Sequence, residues 1–223
     1  MSNRTHSLNF GGALVRPFVA LIALAVTCAA QSAAGGQPVS KTSSGGGAAG
    51  TYASADAKPT AAPAAAPKVG EAAPDFKLPY ATQEAYFTKP EQQMSLSSLK
   101  GKNVILAFYP ADWSGGCTEE VCRLRDTFAE LSKLNATVLG ISGDYVFSHQ
   151  EWAKFHQLQF PLLSDHDHKV ARLYASYNEG AGYNNRTVFL VDKEGVVRYV
   201  NMQFKAGDPA DYNRLREELA KLK

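Results

Sequence analysis

Residues 103–109, Asn-Val-Ile-Leu-Ala-Phe-Tyr, form an apolar run bounded by Gly101 and Pro110, the signature of a short buried strand. The segment Pro-Ala-Asp-Trp-Ser-Gly-Gly follows. Residues 117–134 then place Cys117, Val121, Leu124, Phe128 and Leu131 at spacings of four and three, one face of a helix. Residues 136–142 are a second buried strand. Strand, helix and strand in direct succession call for an α/β sheet covered by helices. The first strand-to-helix connection falls at the carboxyl end of a central strand, where such sheets place their sites.

The remaining pattern extends this reading. Residues 146–157 read as a helix, Phe160-Pro-Leu-Leu as a strand piece, and residues 168–174 as a short helix. Residues 187–192 and 196–201 flank Lys193-Glu-Gly195, a hairpin by turn chemistry. Residues 208–223 present Tyr212, Leu215, Leu219 and Leu222 on one stripe. The order is thioredoxin-like and predicts an α/β fold, a central mixed β-sheet flanked by helices.

Cys117 and Cys122 sit five apart at the start of the first predicted helix. Unpaired backbone N–H groups and the helix dipole favour a thiolate at such a terminus. A second thiol within reach can capture an oxidised first sulfur as a disulfide. Glu119 and Glu120 suit the dipole, yet their negative charge opposes a neighbouring thiolate. Some cation has to outweigh them.

The segment Phe108-Tyr-Pro-Ala-Asp-Trp-Ser-Gly-Gly-Cys117-Thr-Glu-Glu120 resembles the active-site segment of the peroxiredoxins, the alkyl hydroperoxide reductase and thiol-specific antioxidant family. Its core is Pro-x-x-x-Thr/Ser-x-x-Cys, and Pro110, Ser114 and Cys117 occupy those positions. Gly70-Glu-Ala-Ala-Pro-Asp-Phe76 resembles the family's domain opening. Asn185-Arg-Thr-Val-Phe-Leu-Val-Asp192 resembles the strand that supplies its active-site arginine. The likeness runs from about Val69 to Lys223. The Cys117-x4-Cys122 spacing resembles the bacterioferritin-comigratory or Q-type branch, whereas Trp113-Ser-Gly-Gly is also similar to the E-type branch, and Ser114 replaces the commoner Thr.

The resemblance implies a set of roles. Cys117 is the nucleophile that attacks a peroxide oxygen and becomes a sulfenic acid. Arg186 contacts the thiolate and the peroxide oxygens. Glu120, three residues beyond Cys117 on the same side of the helix, can hold that guanidinium. Ser114 can hydrogen-bond the peroxide, with an N-cap as its plainer role. Pro110 fixes the turn and, lacking an N–H, shields the thiolate without competing for it, while Tyr109 and Trp113 are read as pocket walls. Cys122 resolves the sulfenic acid. Five residues of ideal helix separate Cα atoms by ~8.6 Å, and disulfides rarely exceed about 7 Å. The bond therefore requires the first turns to unwind.

The expected function is a thiol peroxidase reducing hydrogen peroxide or organic hydroperoxides, an atypical 2-Cys enzyme recycled by a thioredoxin-like dithiol donor. No cofactor or metal is called for, and the protein is expected as a monomer or homodimer. The alternatives are a thiol–disulfide oxidoreductase on the same fold and a tethered redox sensor. The first prefers Cys-x-x-Cys, where both sulfurs meet without unwinding.

Residues 1–34 contain Arg4 and Arg16, no acid, and an apolar run after Pro17. They read as an export signal, placing the domain in the cell envelope or periplasm. Cys28 ends that run in Ala25-Val-Thr-Cys28, which loosely resembles a lipoprotein box. Lipidation there is one reading, and cleavage after Ala30 or Ala34 is the other. A lipid anchor at Cys28 is the only membrane attachment foreseen. Residues 35–68, almost wholly Gly, Ala, Ser, Thr, Pro and Gln, bury too little apolar surface to fold and read as a linker. Residues 69–223 are the expected single domain.

The whole chain carries 23 basic and 21 acidic residues; without Arg4 and Arg16 the balance is even. No basic stripe supports nucleic-acid binding. Asp165-His-Asp-His168 has metal-ligand residue types but reads as a polar turn capping the next helix. Gly180-Ala-Gly182 lacks a phosphate-loop context and reads as a mobile loop beside Arg186.

Overall fold

The computed structural model describes residues 65–222. The export signal, Cys28 and nearly all of the linker lie outside the described residues. Its strands are β1 (Lys77–Leu78), β2 (Tyr80–Ala81), β3 (Tyr86–Phe87), β4 (Met94–Ser95), β5 (Asn103–Phe108), β6 (Ala136–Ser142), β7 (Leu162–Ser164), β8 (Tyr177–Asn178), β9 (Tyr183–Asn184), β10 (Thr187–Val191) and β11 (Val197–Asn201). The helices are α1 (Gly115–Lys133), α2 (Val146–His156), α3 (Lys169–Leu173) and α4 (Pro209–Ala220), with a 3-10 turn at Leu96–Leu99.

Seven strands form one sheet in the order β11-β10-β5-β6-β7-β2-β3. The β5, β6 and β7 strands run parallel, and β10, β11, β2 and β3 pair antiparallel, so the sheet is mixed. The parallel pair β5–β6 is joined through α1, the long crossover that parallel strands need. Every residue of β5 is buried. Its side chains alternate between two cores: Ile105 and Ala107, with Tyr109 just beyond the strand, join Val121, Leu124, Trp152, Leu215 and Leu219 on one face. Val104, Leu106 and Phe108 join Phe76, Val170, Tyr174 and Phe189 on the other. Two-sided burial explains why β5 reads as an unbroken apolar run rather than an alternating one.

The strands and helices predicted from residue 103 onward are all present, with ends shifted by up to three residues. Gln157 closes α2 in the left-handed conformation (φ 54°), and Asp208 caps α4 by accepting from the Ala210 N–H. The sequence reading did not foresee the two-residue strands β1 to β4. The expected loop at Gly180-Ala-Gly182 is the turn of the small β8–β9 hairpin. Gly182 adopts φ 77° there, a conformation that suits glycine.

Candidate active site

The β5 strand ends at Phe108, and Tyr109 extends its pairing by donating to the Ile141 carbonyl at 3.1 Å. Residues 110–114 then turn into α1. Ser114 occupies the N-cap position with extended backbone (φ −75°, ψ 144°). Its carbonyl accepts from Thr118 N–H at 2.9 Å. Its hydroxyl makes no cap bond and instead donates to the Ala111 carbonyl at 3.2 Å. The carbonyl thus opens the helix, and the side-chain capping role expected of Ser114 is not filled.

Cys117 lies in the first helical turn, where backbone N–H groups have no partner within the helix. It is a free thiol and fully buried. Arg186, between β9 and β10, directs Nη2 to within 3.4 Å of Cys117 Sγ. Its Nη1 donates to Glu120 Oε2. One guanidinium thus bridges the Cys117 sulfur and the carboxylate one turn further along α1. Gly116 makes room for it: a Cβ there would stand 3.3 Å from Nη2.

Glu120 is wholly buried rather than a solvated helix-start acid. Burial pushes its carboxyl up to about 7, against the opposing pull of Arg186. Burial disfavours the charge on Arg186, but Glu120 and the Cys117 sulfur outweigh that and raise its basicity. Glu119 turns away, pairing with Arg123 at 3.0 Å.

Cys122 is buried on α1, with Sγ 3.7 Å from His156 Nδ1. Both cysteines of the pair lie on one unbroken helix, and Cys117 is not bonded to Cys122. Pro110 is half-buried at the loop entrance. Tyr109 is completely enclosed and so walls no open pocket; its hydroxyl donates to Asp112 Oδ1 at 2.8 Å. Trp113 is 52% exposed and sits at φ 63°, unusual for a bulky residue. Its ring leans on Trp152, Phe155 and His156.

Asp112 and His149 escaped the sequence reading. They lie 37 residues apart and meet at 2.9 Å with both side chains buried. A charged residue inside an otherwise apolar βα connection was the only available signal. Asp165 behaves as expected of a helix-capping turn, its carboxylate accepting from Val170 and Ala171 N–H groups at 3.1 and 2.7 Å.

A model of the AhpC/TSA family matches residues 69–200. The chain belongs to the AhpC/TSA family. A Coxiella burnetii protein that carries the name peroxiredoxin bcp is 43% identical over 139 residues, spanning 60% of this chain and 87% of its own. The chloroplastic peroxiredoxin Q of Triticum aestivum is 43% identical over 124 residues, 53% of this chain and 57% of its own. Among solved structures, peroxidoxin BcpB from Mycobacterium tuberculosis superposes with a TM-score of 0.60 at 29% identity. It covers 70% of this chain and 99% of that one. Cys117, Cys122, Arg186 and Glu120 all fall inside the AhpC/TSA match, and so do Ser114 and Pro110.

Proposed function

We propose that this member of the AhpC/TSA family is a thiol peroxidase whose nucleophile is Cys117. The observation that carries the reading is the Arg186 guanidinium, 3.4 Å from the Cys117 sulfur and anchored by Glu120. The Cys117 thiolate attacks one oxygen of a hydroperoxide, and the O–O bond breaks. The sulfur is oxidised to a sulfenic acid, and the departing oxygen takes a proton to leave as water or alcohol. Arg186 is a fixed positive charge beside the oxygen that gains negative charge, so it stabilises the transition state more than the ground state.

Cys122 then attacks the sulfenic sulfur, forming a Cys117–Cys122 disulfide and releasing water. Helix geometry keeps the two Cα atoms ~8.6 Å apart while α1 is intact, so this step needs the first turns to unwind. A dithiol donor of thioredoxin type returns two electrons and restores both thiols. Complete burial of Cys117 suits a small hydroperoxide better than a protein disulfide, which must bring its sulfur in line with the nucleophile.

The test is rapid mixing of the reduced chain with hydrogen peroxide, quenched for mass analysis, beside Cys117→Ser and Cys122→Ser. Fast oxidation that disappears in Cys117→Ser, and that halts at one added oxygen in Cys122→Ser, supports the reading. Oxidation at the pace of an ordinary thiol in all three chains overturns it.

Export rests on the basic start and apolar run of residues 1–34. Cell fractionation with lipid labelling of the chain and its Cys28→Ser variant separates an anchored form from a cleaved, unanchored one.

A further inference from the structure

The loop before the nucleophile is fastened almost entirely through one residue. Asp112 Oδ1 accepts from the Tyr109 hydroxyl at 2.8 Å, and Oδ2 accepts from the Ser148 hydroxyl at 2.7 Å. His149 Nδ1 lies 2.9 Å from the same Oδ2, and the Asp112 N–H donates to Asp144 Oδ2 at 2.9 Å. The other ring nitrogen of His149 faces the Leu163 carbonyl at 3.2 Å. Both nitrogens thus face oxygen atoms that accept. Trp113 adds a bond from its indole N–H to Ser148 Oγ at 3.2 Å. The end of β5, the β6–α2 connection and the first turn of α2 all converge on two consecutive loop residues, and β7 holds the far side of His149.

Fastening stops abruptly after Trp113. Ser114, Gly115 and Gly116 are exposed, and the hydroxyl of Ser114 reaches only the Ala111 carbonyl. Residues 110–113 are therefore fixed to the body of the domain, whereas residues 114–116 depend on the first turn of α1. Unwinding of that turn has a sharp upstream boundary.

We propose that Asp112 is a positioning residue that, with His149 and Ser148, clamps the upstream edge of a hinge at Ser114. The clamp confines unwinding to the start of α1 and favours the wound arrangement in which Cys117 meets Arg186. Its kinetic consequence rests on the proposed roles of Cys117 and Cys122. Loosening the clamp shifts the population toward the unwound state. Capture of the sulfenic acid then speeds up while attack on peroxide slows. A merely structural role would lower both.

The test uses the full chain with Cys28→Ser to simplify thiol counting, comparing Asp112→Asn with its parent. Amide hydrogen exchange on the reduced protein reads the hinge without peroxide. Asp112→Asn should accelerate exchange in residues 109–122 by ~10-fold or more while β6 and β10 exchange as before. Rapid-quench mass analysis should show sulfenic acid forming several-fold more slowly and disulfide following several-fold faster. Exchange that rises uniformly across the sheet, or does not change, overturns the clamp. So does a fall in both chemical steps. Should Asp112→Asn fail to fold, Ser148→Ala removes the donor to Asp112 and the acceptor of the Trp113 indole, keeps the Asp112–His149 contact, and should show the same pattern at about three-fold. A parent chain that reacts no faster than an ordinary thiol sinks the peroxidase reading and the clamp's kinetic role, while the exchange data still decide whether the clamp exists.

Discussion

Arg186 Nη2 lies 3.4 Å from the sulfur of Cys117, across 69 residues of sequence. The contact joins the loop before β10 to the first turn of α1, on two elements whose positions are fixed by direct pairing of β10 with β5. The charge beside the thiol is thus built into the sheet register.

Replacing Arg186 with Gln removes that charge and leaves Glu120 buried without its cation. Oxidation of Cys117 by hydrogen peroxide should slow about 100-fold, equivalent to roughly 2.7 kcal/mol of transition-state stabilisation. Arg186→Lys should recover part of it, because an ammonium supplies charge but cannot bridge two partners in the fork geometry of a guanidinium. Rapid-quench mass analysis of the three proteins checks the ranking, and equal rates in all three would remove Arg186 from the mechanism.

Glu120 gives the stability a pH dependence of definite sign. Folding raises its carboxyl from an ordinary 4.5 to about 7. Between those values the folded state binds more protons than the unfolded one, so stability falls as pH rises through this window and changes little from this source above it. Glu120→Gln cannot titrate, so the difference in melting temperature between variant and wild type should grow in the variant's favour from pH 5 to pH 7. Peroxide oxidation should meanwhile slow several-fold, because an amide holds the guanidinium less firmly than a carboxylate. A constant melting difference across this range would contradict the assignment.

Cys122→Ser should leave the first oxidation of Cys117 at the wild-type rate. With no thiol to capture it, the sulfenic acid should persist and advance to the sulfinic acid under excess peroxide. Mass analysis distinguishes one added oxygen from two, and a Cys122→Ser protein that resists over-oxidation as well as wild type would show that some other group does the resolving.

The glycines ahead of Cys117 should behave differently from each other. A Cβ at Gly115 meets nothing within 4 Å, whereas one at Gly116 stands 3.3 Å from Arg186 Nη2. Neither adopts a positive φ, so alanine stiffens the turn by up to ~1 kcal/mol at either site. Gly115→Ala should slow disulfide formation up to about five-fold and spare oxidation. Gly116→Ala should slow both steps, because the guanidinium has to shift by a few tenths of an ångström. Separate rate constants for the two steps, measured on each variant, check the contrast.

Much of this arrangement was legible in the chain. The β5–α1–β6 unit announces itself because β5 is buried on both faces and α1 carries a regular stripe. Glu120 sits one turn from Cys117, so its approach to the same cation followed from helix spacing. The two-residue strands β1 to β4 have no periodicity to display. They exist because β2 finds an open edge on β7 and because β1 and β4 pair with each other. Asp112 and His149 were invisible for a related reason: a buried polar pair is defined by which elements fold together, and nothing local to Asp112 names a partner on α2. Ser114 looked like a side-chain cap by residue type, yet its hydroxyl is turned toward the Ala111 carbonyl.

The two tryptophans of this chain occupy opposite situations: Trp152 is sealed in the core, while Trp113 stands half in solvent on the loop that leads to Cys117. Their rings are 6.5 Å apart, and Trp113 also touches His156, the neighbour of Cys122. Trp152 packs on the same His156, so a rearrangement of α1 that withdraws Cys122 changes the surroundings of both indoles. The protein carries its own optical gauge, and the progress of a catalytic cycle should be readable from its ultraviolet emission without an attached dye.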